Sequence, residues 1–115
     1  MGAMDFENVY IGKKTPRDAF DEIIEIACFR EGNDGYTGTI AEKTNFVTIQ
    51  CQPRKSPGKL AEELMQNSDS RIDDKWGPAG CIEYKGAYLK KLKKQSGLKG
   101  KKNIRAYIFF GYASS

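Results

Sequence analysis

The sequence contains no histidine, and this absence removes the most common general base and the most common metal ligand of enzymes. Catalytic triads that depend on histidine are excluded with it, so catalysis would have to use carboxylates, lysine, tyrosine or thiols. No recognised arrangement of such groups occurs along the chain. The sequence therefore favours a non-catalytic protein without deciding the point, and we predict no catalytic residue, no metal site and no cofactor.

Cysteine is scarce, and the three cysteines, Cys28, Cys51 and Cys81, are 23 and 30 residues apart. An odd number at these spacings matches neither a disulfide framework nor a paired zinc site. Each thiol lies in an apolar stretch, where cysteine behaves as a small buried hydrophobic residue. We expect all three to have structural roles.

Long apolar runs are also missing. The longest cover only a few residues, whereas a membrane-spanning helix needs about 18. Because no charged and apolar leader opens the sequence either, we expect a cytoplasmic protein that does not associate with membranes.

The chain of 115 residues has the length of one domain. Residues 1–4, MGAM, look like expression-vector residues before a native start at Met4. This leaves residues 5–115 as a single domain.

Positive charge is distributed unevenly along the chain. Nine of the 19 lysine and arginine residues lie between Lys85 and Arg105, a segment with no acidic residue. The rest of the chain holds 10 basic and 15 acidic residues and is therefore net negative. Such a split is typical of a surface that meets a polyanion or an acidic partner.

The first elements have clear local signals. Residues 8–13, NVYIGK, predict a short strand. Thr15 and Pro16 then predict a helix start, and Gly32 its end. A buried stripe is expected within this helix because apolar residues recur three and four positions apart: Phe20, Ile23, Ile24 and Ala27.

The middle of the chain is interpreted as a hairpin followed by a helix. Two β-branched runs, Tyr36 to Glu42 and Phe46 to Gln52, flank a short polar connector and predict an antiparallel pair. Ser56 and Pro57 then predict a second helix. Trp76 lies in a glycine and proline turn, where we expect it to be packed.

The last third predicts a strand at residues 81–85, an amphipathic basic helix that weakens beyond Ser96, and a final strand at residues 104–113. The final run is a nearly unbroken series of apolar and aromatic residues, which indicates a central strand buried on both faces. The predicted fold class is therefore α+β. We expect an antiparallel or mixed sheet of about five strands in the ferredoxin-like order β-α-β-β-α-β, with two main helices on one face, then the short basic helix and the central C-terminal strand.

The basic segment predicts a nucleic-acid interface, because flexible lysine ammonium groups contact phosphates without reading sequence. Aromatic residues lie among these lysines; we assign most of them to the core and expect Tyr84 and Tyr88 to be the exposed ones. The predicted nucleic-acid-binding residues are Lys90, Lys91, Lys93, Lys94, Lys99, Lys101, Lys102, Arg105 and Tyr88.

Two other functions stay open at this point. One is a protein-interaction or inhibitory accessory factor, of the kind that phages and mobile elements encode, which would dock on a larger host protein. The other is a ligand pocket in the polar loop after the first helix, formed by Arg30, Asn33, Asp34, Tyr36, Thr37 and Thr39. The partner is thus expected to be nucleic acid or an acidic protein surface, with the oligomeric state open.

Overall fold

The computed structural model describes residues 2–32 and 37–115. These residues form the strands and helices β1 (Ala3–Gly12), α1 (Pro16–Glu31), β2 (Phe46–Thr48), α2 (Pro57–Gln66), β3 (Ala79–Glu83), α3 (Gly86–Gln95) and β4 (Arg105–Ser114). A 3₁₀ helix, Ile40–Glu42, precedes β2. The predicted α+β class is confirmed.

The described strands form one mixed sheet in the order β1-β4-β3-β2. Strand β4 is antiparallel to both neighbours, whereas β2 and β3 are parallel. The central position predicted for the C-terminal strand is therefore confirmed. The predicted number of about five strands and the ferredoxin-like order are not matched, because the described residues form a sheet of four strands and α2 joins β2 to β3.

The predicted hairpin is wrong. Tyr36 lies outside the described residues, residues 40–42 form the 3₁₀ helix, and β2 pairs with β3 instead. The threonines that resemble strand residues cap this helix: Thr39 Oγ1 accepts from the Ala41 amide at 3.2 Å, and the Thr37 hydroxyl donates to Glu42 at 2.8 Å. Such local side-chain bonds compete with strand pairing.

Helices cover both faces of the sheet, which corrects the prediction that both main helices share one face. On one face, the ring of Phe20 in α1 lies 5.4 Å from that of Phe109. On the other face, Met65 of α2 packs in a cluster with Ile108 and Phe110. Since neighbouring residues of β4 point to opposite faces and residues 106–110 are all apolar or aromatic, each face needs its own cover.

Helix α1 begins and ends at the predicted signals. Thr15 accepts a hydrogen bond from the Asp18 amide at 3.4 Å, and Pro16 occupies the first turn. Gly32 ends the helix at a φ of 84°, which favours glycine. Helix α2 likewise begins at Pro57, although the Ser56 side chain makes no capping hydrogen bond.

Strand β1 begins earlier than expected. Ala3 and Met4, which the sequence suggests are vector residues, pair with Ser114 and Ala113 of β4. They are therefore part of the sheet whatever their origin.

Lys43 is a buried cation, with only 2% of its surface exposed. Its ammonium donates to three backbone carbonyls, those of Asp74, Lys75 and Gly77, at 3.3, 3.2 and 2.9 Å. Burial lowers the pKa of Lys43, and the nearby Asp74 acts against this shift. The lysine holds together the turn that carries Trp76, whose indole is exposed rather than packed as expected.

Replacing Lys43 by methionine is expected to lower the free energy of unfolding by about 1–3 kcal/mol, because the three carbonyls lose a charged donor. Urea denaturation would measure the change. Lys59→Met, at an exposed position of α2, is the matched control and should change stability much less. Equal stability losses in the two variants would contradict this role for Lys43.

Stability should fall at alkaline pH. Burial raises the pKa of Cys81 from 9.0 to about 12, and that of Tyr107 from 10.0 to about 12. The unfolded chain releases these protons first, so the stabilisation is complete below pH 9.0 and is lost as the pH rises towards 12. Chemical denaturation at several pH values would measure the loss.

The variant Cys81→Ala should lose less stability than the original chain between pH 9.0 and 12, because one of the two raised pKa values is removed. At lower pH the two proteins should differ by a constant amount, which reports the packing change alone. A constant difference across the whole alkaline range would contradict the assignment.

Candidate nucleic-acid interface

Helix α3 and the loop after it, residues 86–103, form a projecting unit that we call the basic arm. Helix α3 contains no fully buried residue, in contrast to α1 and α2. Tyr88, Leu89 and Leu92 are only half-buried. The arm thus contributes little to the core that holds the sheet and the other helices.

The end of α3 is fixed by backbone hydrogen bonds rather than by packing. The Gly97 amide donates to the Lys94 carbonyl at 3.3 Å and the Leu98 amide to the Lys93 carbonyl at 2.8 Å, which is the Schellman pattern. Gly97 has a φ of 73°, and Asn103 closes the loop at a φ of 61°. The loop therefore has a defined path.

The arm lysines lie away from its apolar side. At about 100° per residue, Lys90, Lys91 and Lys94 fall within roughly half of the circumference of α3, opposite Leu92. The loop lysines, Lys99, Lys101 and Lys102, are also exposed. Lys93 is half-buried, and its ammonium donates to the Lys101 carbonyl at 2.6 Å, so it joins helix to loop.

None of the arm lysines forms a salt bridge with a described carboxylate. The ion pairs of the described chain lie elsewhere: Lys14–Glu22, Arg17–Asp21, Lys55–Glu63, Arg71–Asp69 and Arg105–Glu83. Arg105, which the sequence groups with the arm, is thus engaged in the sheet. Its pKa is raised because it donates a hydrogen bond to Glu83 at 3.2 Å.

Tyr88 connects the arm to the body of the protein. Its hydroxyl donates to the Arg54 carbonyl at 3.0 Å, which leaves the ring half-buried. Tyr84 is half-buried as well, and burial raises its pKa. Of the other aromatic residues near the lysines, Tyr107, Phe109 and Phe110 are fully buried, as the assignment to the core predicts.

An open cleft of about 130 Å³ lies between the start of α3 and residues 49–55. Gln50, Gln52, Lys55 and Lys85 line it. The basic pair Arg54 and Lys55 was missed by the sequence interpretation, although the letters RK were visible before Ser56. This pair contacts the arm through the hydrogen bond from the Tyr88 hydroxyl to the Arg54 carbonyl, which a linear sequence does not show.

Of the six residues predicted to form a ligand pocket, the structure describes three, and two of these, Arg30 and Thr39, line the same groove beside α1. Thr37 and Thr39 hydrogen-bond to each other at 2.8 Å, and both belong to the cap of the 3₁₀ helix. Arg30 is exposed at the end of α1. Asn33, Asp34 and Tyr36 lie outside the described residues.

Within residues 2–32 and 37–115, no group of three or more cysteine, aspartate or glutamate side chains is placed to hold a metal ion. None of the described helices has the length and apolar composition needed to cross a membrane.

Comparisons of the chain with protein-family models, curated proteins and solved structures give no match.

Amide hydrogen exchange should be faster in α3 than in β4. A helix of ten residues with no fully buried side chain is only marginally stable by itself, so it should open locally without unfolding of the sheet. The central strand β4 should exchange only through global unfolding. Exchange followed by mass spectrometry would measure both, and equal protection of α3 and β4 would contradict the weak attachment of the arm.

Proposed function

We propose that this protein is a small, non-catalytic, cytoplasmic module that binds nucleic acid through the basic arm. The observation that carries the proposal is that the arm lysines have no carboxylate partners among the described residues. They lie on a helix without buried residues and on the loop that follows it. Nothing in the core requires this helix. Binding of an external polyanion would account for the presence of this lysine-rich helix.

The positive charges of the arm repel one another and destabilise its helix unless anions compensate them. Like charges on adjacent turns of a helix destabilise it, and counterions screen them only over a distance of about 8 Å at physiological ionic strength. Phosphate groups at regular spacing would replace these counterions, and their release favours binding. The repulsion that weakens the isolated arm therefore becomes a source of affinity.

The chemistry of the arm favours contacts with the nucleic-acid backbone. Lysine is a flexible point charge, whereas base recognition commonly uses the two parallel hydrogen bonds of arginine to guanine. The single arginine grouped with these lysines, Arg105, is paired with Glu83. Arg54 extends the positive surface next to Tyr88. We therefore propose binding with little sequence specificity.

Replacing Lys99, Lys101 and Lys102 together by glutamine should weaken binding to duplex DNA. The slope of log K against log salt should fall in magnitude by about 3, because three phosphate contacts are lost. Fluorescence anisotropy with a labelled duplex, repeated over a range of salt concentrations, would measure the slope. The melting temperature should stay unchanged, since all three side chains are exposed.

The matched control neutralises three cations outside the arm, Arg17, Lys59 and Lys75. It changes the net charge equally, so it separates a local interface from a general charge effect. Equal losses of affinity in the two triple variants, or no loss in the arm variant, would contradict the proposal.

The second candidate function is a protein-interaction or inhibitory accessory factor that docks on a larger host protein. It is favoured by apolar side chains left exposed away from the arm, above all Phe29 on α1, which is 91% exposed. This candidate requires one defined partner and no response to nucleic acid. Retention of a host protein that depends on Phe29 and not on the arm lysines would favour it.

A further inference from the structure

The outer edge of β1 is the longest unpaired strand edge of the described structure. Strand β1 has ten residues and pairs only with β4, whereas β2 at the opposite edge has three residues. A short edge strand offers little to pair with, but a long one presents a row of backbone donors and acceptors. The two edges of the sheet are therefore not equivalent.

The hydrogen bonds to β4 show which residues of β1 point outwards. Gly2 and Ser115 exchange both backbone bonds, at 3.3 and 3.2 Å, so Gly2 faces β4. Since inward and outward residues alternate, the outward set is Ala3, Asp5, Glu7, Val9 and Ile11. An independent bond agrees: the carbonyl of Ala106, which is opposite Ile11, points away from β1 and accepts from Tyr84.

The outward amides and carbonyls have no partner among the described residues. Large apolar side chains are exposed around the same edge. Val9 is 49% exposed on β1 and Ile26 is 46% exposed on α1, and both line a groove of about 200 Å³. Phe29 lies almost one turn further along the same side of α1. Unpaired backbone and exposed apolar groups thus coincide on one side of the molecule.

We infer that a second copy of this chain occupies the edge of β1, so that two sheets join antiparallel around a two-fold axis through Val9. The two-fold axis places both copies of α1 on the same side of the joined sheet. Ile26, which lines the groove beside β1, then lies on the same side of the joined sheet as Ile26 of the other copy.

Charge and the length of the paired segment together favour this register. Outward residues must be opposite outward residues, so the axis can pass through Glu7, Asn8, Val9 or Tyr10, among others. An axis through Glu7 would place two glutamates face to face. An axis through Val9 places Asp5 opposite Lys13 of the second copy, twice by symmetry, and brings Glu7 diagonally close to the same lysine. An axis through Tyr10 would also place Glu7 opposite Lys13, but it would pair fewer residues of β1 and leave Asp5 without a cation opposite it.

The acidic end of β1 needs a cation that its own chain does not supply. The pKa of Glu7 is raised by burial and by the nearby carboxylates of Glu62 and Asp5. None of these three acids forms a salt bridge with a described lysine or arginine. Lys13 of the second copy would neutralise part of this cluster. All residues of the pairing, 5–13, lie after the residues that resemble vector sequence.

Charge reversal tests the inference directly. Analytical ultracentrifugation under reducing conditions, without nucleic acid, should give a mass that rises to twice 12.9 kDa with concentration. Asp5→Lys and Lys13→Asp should each leave a monomer, because each places like charges opposite one another. The double variant should restore the dimer. A wild-type chain that is monomeric at every concentration, or a double variant that stays monomeric, would overturn the inference.

Hydrogen exchange distinguishes strand pairing from other ways to form a dimer. The amides of Asp5, Glu7, Val9 and Ile11 should become protected as the dimer forms, whereas those of Phe6, Asn8 and Tyr10 should be protected in both states. Val9→Pro, which removes an outward N–H and no bond to β4, should abolish the dimer while near-ultraviolet circular dichroism stays native. A dimer without this alternating protection would overturn the inference.

Discussion

The structure depends on a single strand, β4, whose apolar side chains are buried on both faces and whose two edges are both paired. Tyr107 and Phe109 pack beneath α1, and Ile108 and Phe110 pack beneath α2. Each of these side chains contributes about 1.5–3 kcal/mol through burial. Gly80 of β3 lies against Phe110 so closely that a side chain there would meet the ring at 2.5 Å. Only glycine therefore fits at this position of β3, next to the Phe110 ring of β4.

Signals that act over a few residues could be predicted from the sequence. Thr15, Pro16 and Gly32 mark the ends of α1 because capping is a local interaction. The apolar run of β4 likewise identified the central strand. The same run also requires cover on both faces of the sheet, so the sequence itself contains evidence against placing both main helices on one face. The pairing of β2 with β3 could not be predicted, since it joins two segments that α2 separates in the sequence.

The positive charge of the candidate interface could be predicted from the sequence, whereas the positions of its side chains could not. A count of charges along the chain does not depend on the fold, so the segregation of lysines was visible at once. The absence of carboxylate partners among the described residues, and the engagement of Arg105 with Glu83, depend on distances that only the structure gives. Thr37 and Thr39 are a further case: their hydroxyl groups suggested a ligand site, and only the structure shows that these groups bond to one another and to the 3₁₀ helix.

The place of β4 in the chain has a consequence for synthesis. Because β1 pairs only with β4, and the pair of β2 and β3 reaches β1 only through β4, strand β1 has no partner strand until residues 105–114 have been made. Until then, Phe6, Tyr10 and Phe20 lack the side chains of β4 against which they pack in the native core. The native fold is thus expected to form after translation of its last strand, in one cooperative step, rather than progressively from the amino terminus.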